Sequence, residues 1–102
     1  MTEQIEKKRE QIAHLCRQFH VRRLALFGSA LGRDFDPERS DFDFLVQFEE
    51  LAPGTYAETY FGLMDAMERL LGRKVDLVEE GSIRNPYFQQ EIEARQETVY
   101  AA

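Results

Sequence analysis

The sequence predicts a single domain of the α/β (α+β) class, with one small mixed sheet and helices packed on it. The first observation is the length, because 102 residues suit one compact domain with one core. The second is the alternation of hydrophobic periods, which gives the order helix, strand, helix, strand, helix, strand, helix. No repeat, low-complexity tract or linker divides the chain, so residues 1–102 are expected to form one domain.

The first half of the chain begins with an amphipathic helix over residues 2–20. Its apolar stripe consists of Ile5, Ile12, Leu15, Cys16 and Phe19. Residues 21–27 end in a short apolar run closed by Gly28, which is typical of a buried strand. Ser29 is suited to cap a short helix directly after it, and residues 34–39 are expected to form an exposed loop.

The second half continues with a strand over residues 41–48, where apolar and polar side chains alternate with a period of two. A helix over residues 55–72 opens with a capping-box pattern and ends at a glycine. A second alternating strand follows over residues 74–78, and an Asn-Pro pair opens a last helix over residues 86–95. Residues 98–100 are a candidate edge strand.

Three aspartates lie in two of these strands, although aspartate is depleted in strands. Asp41 and Asp43 share one face of the first of these strands, and Asp76 interrupts the apolar residues of the second. If the two strands are neighbours, the carboxylates converge and resist ionising together unless a cation lies among them. Oxygen ligands without His or Cys favour Mg²⁺ or Mn²⁺. Alternating acids on the wet face of a surface strand are the structural alternative.

Gly28 and Ser29 are candidates for the other half of such a site. A glycine at a strand end lets the backbone approach a ligand closely, and the helix start that follows offers unpaired N–H groups to phosphate oxygens. A Gly-Ser pair alone is also common in turns. Combined with the three acids, it predicts a phosphate site that faces a metal site, which suits phosphoryl or nucleotidyl transfer.

Together these segments resemble the nucleotidyltransferase superfamily built on the polymerase-β palm, and most closely its smallest members, the MNT proteins. The matching segments are Leu26-Phe27-Gly28-Ser29, Ser40-Asp41-Phe42-Asp43-Phe44-Leu45-Val46 and Val75-Asp76-Leu77-Val78. The resemblance extends over nearly the whole chain, including the last helix and the Val99-Tyr100 ending. It implies a palm-like sheet and a nucleotidyltransferase activity with ATP as the nucleotide donor.

The resemblance also implies roles for the three acids. Asp41 and Asp43 are expected to bridge two metal ions. Asp76 is expected to bind the catalytic metal and to help deprotonate the attacking hydroxyl. All three are therefore predicted as both metal ligands and catalytic residues.

The resemblance implies a nucleotide-binding set as well. Gly28 and Ser29 are expected to hold the β- and γ-phosphates, and Arg33 and Ser40 complete the set. Many relatives carry an Arg three residues after the Ser, where this chain has Gly32, and Arg33 follows it.

MNT proteins of this size resemble antitoxins that are encoded beside a HEPN-domain RNase toxin, which they bind and silence by adenylylating a tyrosine. The resemblance thus implies Mg²⁺-dependent transfer of AMP to a HEPN toxin, with antitoxin activity as the outcome. One alternative is an antitoxin that neutralises its partner by stoichiometric binding, and another is nucleotidyl transfer to a small molecule. Candidate docking patches are the Arg22-Arg23 pair and the cluster of Arg69, Arg73 and Lys74, although such groups are often solvated basic patches.

Composition excludes several other classes of protein. The formal charge of −6 disfavours a surface for long nucleic acid. The single cysteine, Cys16, excludes an internal disulfide and is expected to be a buried thiol. No apolar run approaches the roughly 20 residues of a membrane span, and the N-terminus lacks signal-peptide features, so a cytoplasmic protein is expected. The long apolar helix faces allow a homo- or hetero-oligomer.

Overall fold

A computed structural model describes residues 3–27, 41–82 and 85–102 of the chain. These residues form a four-stranded sheet in the order β3-β2-β1-β4. Its strands are β1 Val21–Phe27, β2 Phe42–Phe48, β3 Val75–Glu79 and β4 Glu97–Ala101. β1 is antiparallel to both β2 and β4, whereas β2 and β3 are parallel. The expected mixed sheet is therefore confirmed.

The helices are α1 Glu3–Lys7, α2 Arg9–Gln18, α3 Tyr56–Leu71 and α4 Pro86–Arg95, and a 3-10 turn covers Glu80–Ser82. The single helix expected over residues 2–20 was wrong in one respect, because Lys8 separates α1 from α2 with φ −108° and ψ 14°. The Lys8 ammonium donates a hydrogen bond to the carbonyl of Leu70 in α3. This contact ties the junction of the two short helices to the end of α3, and the buried stripe continues across it.

One face of the sheet packs against α1, α2 and α3 and carries the main core. Period-two alternation directs Phe42, Phe44 and Val46 of β2 into this core, where all three are fully buried. The helices contribute buried Ile5, Ile12, Cys16, Leu63, Met67 and Leu71. The expected burial of the Cys16 thiol is confirmed, and burial raises its pKa to about 12.

The two ends of α3 differ in how well they match the sequence expectation. Gly72 ends the helix in the left-handed region at φ 67°, as expected, and its N–H donates to the carbonyl of Glu68. The expected capping box was wrong, since Thr55 has ψ −1° and makes no side-chain cap hydrogen bond. Its hydroxyl instead donates to the carbonyl of Ala52 at 2.7 Å, which closes the preceding turn.

The opposite face of the sheet carries a smaller apolar cluster of Ala25, Phe27 and Leu45, with Val78 packed against it. At the far end of this face, the Arg23 guanidinium contacts Glu80 at 3.4 Å and Gln96 at 2.9 Å. These contacts connect β1 to the chain on both sides of α4. In the described part of the chain, no helix is long and apolar enough to cross a membrane.

Candidate active site

Asp43 and Asp76 are direct neighbours on adjacent strands. The parallel register of β2 and β3 pairs Asp43 with Asp76. Since Phe42 and Phe44 on either side of Asp43 enter the main core, Asp43 must face the other side of the sheet. The same alternation applies to β3, where Val75 and Leu77 are buried and Asp76 is exposed. The two carboxylates therefore meet on the face of the sheet that lies away from the main core.

Burial raises the pKa of Asp43 above the ordinary aspartate value. The charge of Asp76, hydrogen bonding with the Asp76 side chain and the charge of Asp41 raise it further, in that order. Neighbouring carboxylates repel each other, and a cation beside them would offset that repulsion. The structure thus brings Asp43 and Asp76 into contact, with Asp41 near enough to act through its charge.

The apolar cluster on this face forms a floor beneath the carboxylates. Phe27 of β1 is the cross-strand partner of Asp43, and Leu45 and Val78 follow Asp43 and Asp76 on the same face. Apolar neighbours lower the local dielectric constant, and this strengthens the interaction of the carboxylates with each other and with any cation.

The nucleotide-binding residues expected from the sequence lie outside the described residues. These are Gly28, Ser29, Arg33 and Ser40, and the helix expected after Ser29 and the loop expected over residues 34–39 lie there too. Strand β1 comes directly before them in the sequence. Because Phe27 pairs with Asp43, β1 reaches its last residue beside the carboxylate pair.

The described acids supply only part of the ligands that a magnesium ion needs. Over residues 3–27, 41–82 and 85–102, no three His, Cys, Asp or Glu side chains form a ready-made metal site. Magnesium, however, is usually held by one or two carboxylates, with waters and substrate phosphates completing its shell. Two neighbouring carboxylates, which offer oxygen donors alone, fit this mode of binding.

Two side chains of α3 hold the strand segment on either side of Asp76. A Glu68 carboxylate oxygen accepts the backbone N–H of Val75 at 3.0 Å, and the Tyr60 hydroxyl donates to the carbonyl of Leu77. Both groups lie eight residues apart on one helix, so they reach the same edge of β3. They position the backbone that carries Asp76. Burial raises the pKa of Tyr60, and the charges of Asp76 and then Glu79 raise it further.

The contacts of Glu68 and Tyr60 were not predicted from the sequence. The helical spacing of Tyr60 predicts a core or partner-facing residue, and no pattern distinguishes Glu68 from the other helix acids. Their partners lie 17 and 7 residues away along the chain, and the spacing i, i+8 on one helix face is the only signal of a shared role. The basic residues that were candidates for docking differ in their surroundings. Arg23 is half-buried in contacts within the chain, and Arg69 pairs with Asp65 at 3.1 Å.

Comparison with known proteins identifies the family. The family model described as a nucleotidyltransferase domain matches residues 8–99. This chain belongs to the nucleotidyltransferase domain family. A relative from Methanocaldococcus jannaschii that is named as a protein adenylyltransferase is 41% identical over 76 residues, which are 74% of each chain.

Solved structures agree with this family and fold. One described as a minimal nucleotidyltransferase has a TM-score of 0.75 and 33% identity, and the match covers 93% of this chain and 92% of that chain. A second match is to a complex of a tri-AMPylated HEPN toxin of Shewanella oneidensis with an MNT antitoxin. It has a TM-score of 0.65 at 18% identity over 96% of this chain and 73% of that chain, and it supports the fold alone. The nucleotidyltransferase fold and enzyme class expected from the sequence are confirmed.

Proposed function

We propose that this nucleotidyltransferase transfers AMP from ATP to a tyrosine hydroxyl of a HEPN RNase toxin, with Mg²⁺ or Mn²⁺ held by Asp41, Asp43 and Asp76. The outcome would be antitoxin activity in the cytoplasm. The observation that carries the proposal is the contact between Asp43 and Asp76 on adjacent strands, with Asp41 adding its charge. Two acids side by side above an apolar floor, with a third adding its charge, cost stability through their mutual repulsion, and this supports a role in binding a cation.

In the proposed reaction, the acceptor oxygen attacks the α-phosphorus of ATP. The bond from that phosphorus to the bridging oxygen of the β-phosphate breaks, and pyrophosphate leaves. Asp76 is the exposed member of the pair, so it is the group we assign to take the proton of the acceptor hydroxyl. A bound divalent cation supplies charge neutralisation and alignment of the phosphates. Asp43, half-buried and close to the charges of the other two acids, would be the main residue to hold that cation.

The proposed nucleotide-binding site rests on the sequence. Gly28 and Ser29 remain the predicted phosphate-binding turn, and Arg33 and Ser40 are predicted to assist them. The pairing of Phe27, the last residue of β1, with Asp43 supports this prediction. A strand end that opens next to a metal site is a suitable place for a triphosphate.

The HEPN partner is proposed from two relatives. The relative from Methanocaldococcus jannaschii carries the name of a protein adenylyltransferase, and the Shewanella oneidensis complex contains an AMPylated HEPN toxin with an MNT antitoxin. A shared family and a shared fold make the same acceptor class the best-supported choice for this chain.

The test uses ATP labelled at the α-phosphate, Mg²⁺ and the purified product of the neighbouring gene. We expect label on the partner with the wild-type chain and none with Asp41→Asn or Asp43→Asn. Glu10→Gln is the control, because Glu10 is an exposed acid on α2, across the sheet from the site. Label that persists in both Asp variants would contradict the proposed site.

The same reagents separate catalysis from binding. If the Asp41→Asn, Asp43→Asn double variant still neutralises the partner at equal concentration, stoichiometric binding is the mechanism and AMP transfer is not. If the label appears only on an added small-molecule alcohol and never on the partner, the acceptor class is wrong.

A further inference from the structure

The first two turns of α3 carry a continuous row of aromatic rings. Phe48, at the end of β2, packs edge-on against Tyr56 with ring centroids 5.8 Å apart. Tyr56 stacks on Tyr60 at 6.0 Å, and Tyr60 packs edge-on against Phe61 at 5.1 Å. We call these four residues the aromatic ladder.

The outer part of the aromatic ladder is exposed to solvent. Among the side chains whose burial the structure describes, three large apolar ones are exposed, and two of them, Tyr56 at 42% and Phe61 at 62%, belong to the ladder. The third, Tyr87 at 81%, lies on α4. A single exposed ring is ordinary, but contiguous exposed rings on a small domain indicate a binding surface. Phe61 is therefore the ladder residue that would bury the most apolar surface against a partner.

The ladder lies at the edge of the proposed active site. The Tyr60 hydroxyl donates to the carbonyl of Leu77, the residue that follows Asp76, and the Tyr56 hydroxyl donates to the carboxylate of Glu79. β3 is an outer strand of the sheet, with β2 on its other side. A protein that approaches Asp76 from the β3 side of the sheet would meet the ladder beside Tyr60.

The surroundings of the ladder are acidic. Glu58 is exposed one turn before Phe61 on α3, and Glu49 and Glu50 are exposed directly after Phe48. The single basic residue of α3, Arg69, is already paired with Asp65. Exposed aromatic rings also attract Lys and Arg side chains through cation–π contacts. A basic segment is thus the partner that suits both the charge and the rings.

We propose that the aromatic ladder and its acidic rim of Glu49, Glu50 and Glu58 form the docking surface for the protein acceptor. The occupant is a basic segment that covers Phe61 with an apolar or aromatic side chain and leads a hydroxyl toward Asp76. This differs from the sequence expectation, which assigned docking to the basic patches of this chain. The identity of the occupant as the acceptor rests on the proposed function, whereas the surface itself is argued from the ladder.

The experiment measures binding of the purified neighbouring gene product by calorimetry and AMP transfer to it at varied concentration. Phe61→Ala should raise the dissociation constant about tenfold or more, as expected of a buried aromatic anchor. Glu58→Lys should weaken binding and reduce its dependence on salt. Tyr87→Ala is the matched control, since it removes an exposed ring outside the ladder and should change the constant less than about twofold.

Kinetics distinguish docking from a role in chemistry. Phe61→Ala should raise KM for the partner while kcat at saturation and the affinity for ATP stay unchanged. Partner binding that is equal in wild type, Phe61→Ala and Glu58→Lys would overturn the proposal. A loss of ATP affinity in Phe61→Ala, with partner binding intact, would also overturn it and assign the ring to the nucleotide base.

The two proposals fail separately in this experiment. If the wild type transfers no AMP but Phe61→Ala and Glu58→Lys still weaken partner binding, the docking surface stands and the proposed function falls. If AMP is transferred and neither variant changes KM for the partner, the proposed function stands and the docking surface falls.

Discussion

Replacing Asp43 by Asn is expected to stabilise the metal-free protein while abolishing AMP transfer. Asp43 is half-buried above the apolar floor and shares a hydrogen bond with Asp76. Its ionised form is disfavoured in the folded state, mainly by burial and then by the charge of Asp76. Asn has nearly the same shape, carries no charge and can donate a hydrogen bond to Asp76. The substitution removes a repulsion that only a bound cation would otherwise offset.

The size of the effect follows from the two charges. Two unit charges in close contact interact by about 1 kcal/mol in water and about 4 kcal/mol at the effective dielectric constant of a protein surface. Because Asp43 is only half-buried and Asp76 is exposed, solvent screening favours the lower figure. For a domain of this size, roughly 1 kcal/mol corresponds to a rise of about 4–8 °C in melting temperature.

The pH dependence has a definite sign. A carboxyl group whose pKa is raised by folding binds its proton more tightly in the folded state than in the unfolded state. The wild type should therefore lose stability as pH rises from the ordinary aspartate pKa through the raised value. Asp43→Asn does not lose stability in this way. Its gain in stability over the wild type should therefore grow across that pH range and then stay constant toward neutral pH.

Thermal unfolding in EDTA, followed by circular dichroism from about pH 4 to about pH 7.5, measures both effects. Adding Mg²⁺ should raise the melting temperature of the wild type and of Glu10→Gln, but not that of Asp43→Asn. An Asp43→Asn protein that melts below the wild type in EDTA at neutral pH would refute the reasoning. An equal response of all three proteins to Mg²⁺ would refute it as well.

Three further predictions concern the elements that support the site. Tyr60→Phe removes the hydrogen bond to the carbonyl of Leu77. It should lower kcat several-fold at an unchanged KM for ATP and reduce the free energy of unfolding by about 0.5–1.5 kcal/mol. An unchanged kcat would show that Asp76 needs no such support. Leu63→Ala empties a fully buried position and should cost about 2–5 kcal/mol in denaturant unfolding, and a cost well under that would mean that α3 is not packed on the sheet as described. The Cys16 thiol, with its pKa raised to about 12, should react with a thiol reagent at neutral pH only after unfolding, so rapid reaction of the folded protein would contradict its burial.

Much of the fold could be predicted from the sequence because its patterns are strong. β1 and α4 have the expected bounds, and β2 and β3 differ from expectation by one residue at their ends. Alternation in β2 correctly assigned Phe42 and Phe44 to the core and Asp43 to the other face. The period-two pattern is reliable here because one register buries Phe42 and Phe44, whereas the other would bury the acids.

Local capping and helix continuity were harder to predict. Lys8 interrupts the first helix, and its ammonium bonds to the carbonyl of Leu70, which is 62 residues away. Thr55 has the residue type of a helix cap, but its backbone conformation directs the hydroxyl to Ala52 instead. Both outcomes depend on how the chain enters the helix, and composition alone does not carry that information.

The candidate site was predicted in part. Aspartates in apolar strands indicated Asp43 and Asp76, but their contact depends on the parallel pairing of β2 and β3, which no local pattern reveals. The contacts of Tyr60 and Glu68 with β3 and the exposure of Phe61 also arise only from tertiary packing. The roles of Gly28, Ser29, Arg33 and Ser40 stay predictions from the family resemblance.

Calorimetric titration of ATP into the protein, with Mg²⁺ and with EDTA, tests the central claim most directly. The claim is that Asp41, Asp43 and Asp76 hold a divalent cation that in turn holds the triphosphate. We expect binding of ATP by the wild type and by Glu10→Gln in Mg²⁺, and a large loss of affinity in EDTA or in Asp43→Asn. Binding of equal strength in Mg²⁺ and EDTA, or in the wild type and Asp43→Asn, would contradict the account.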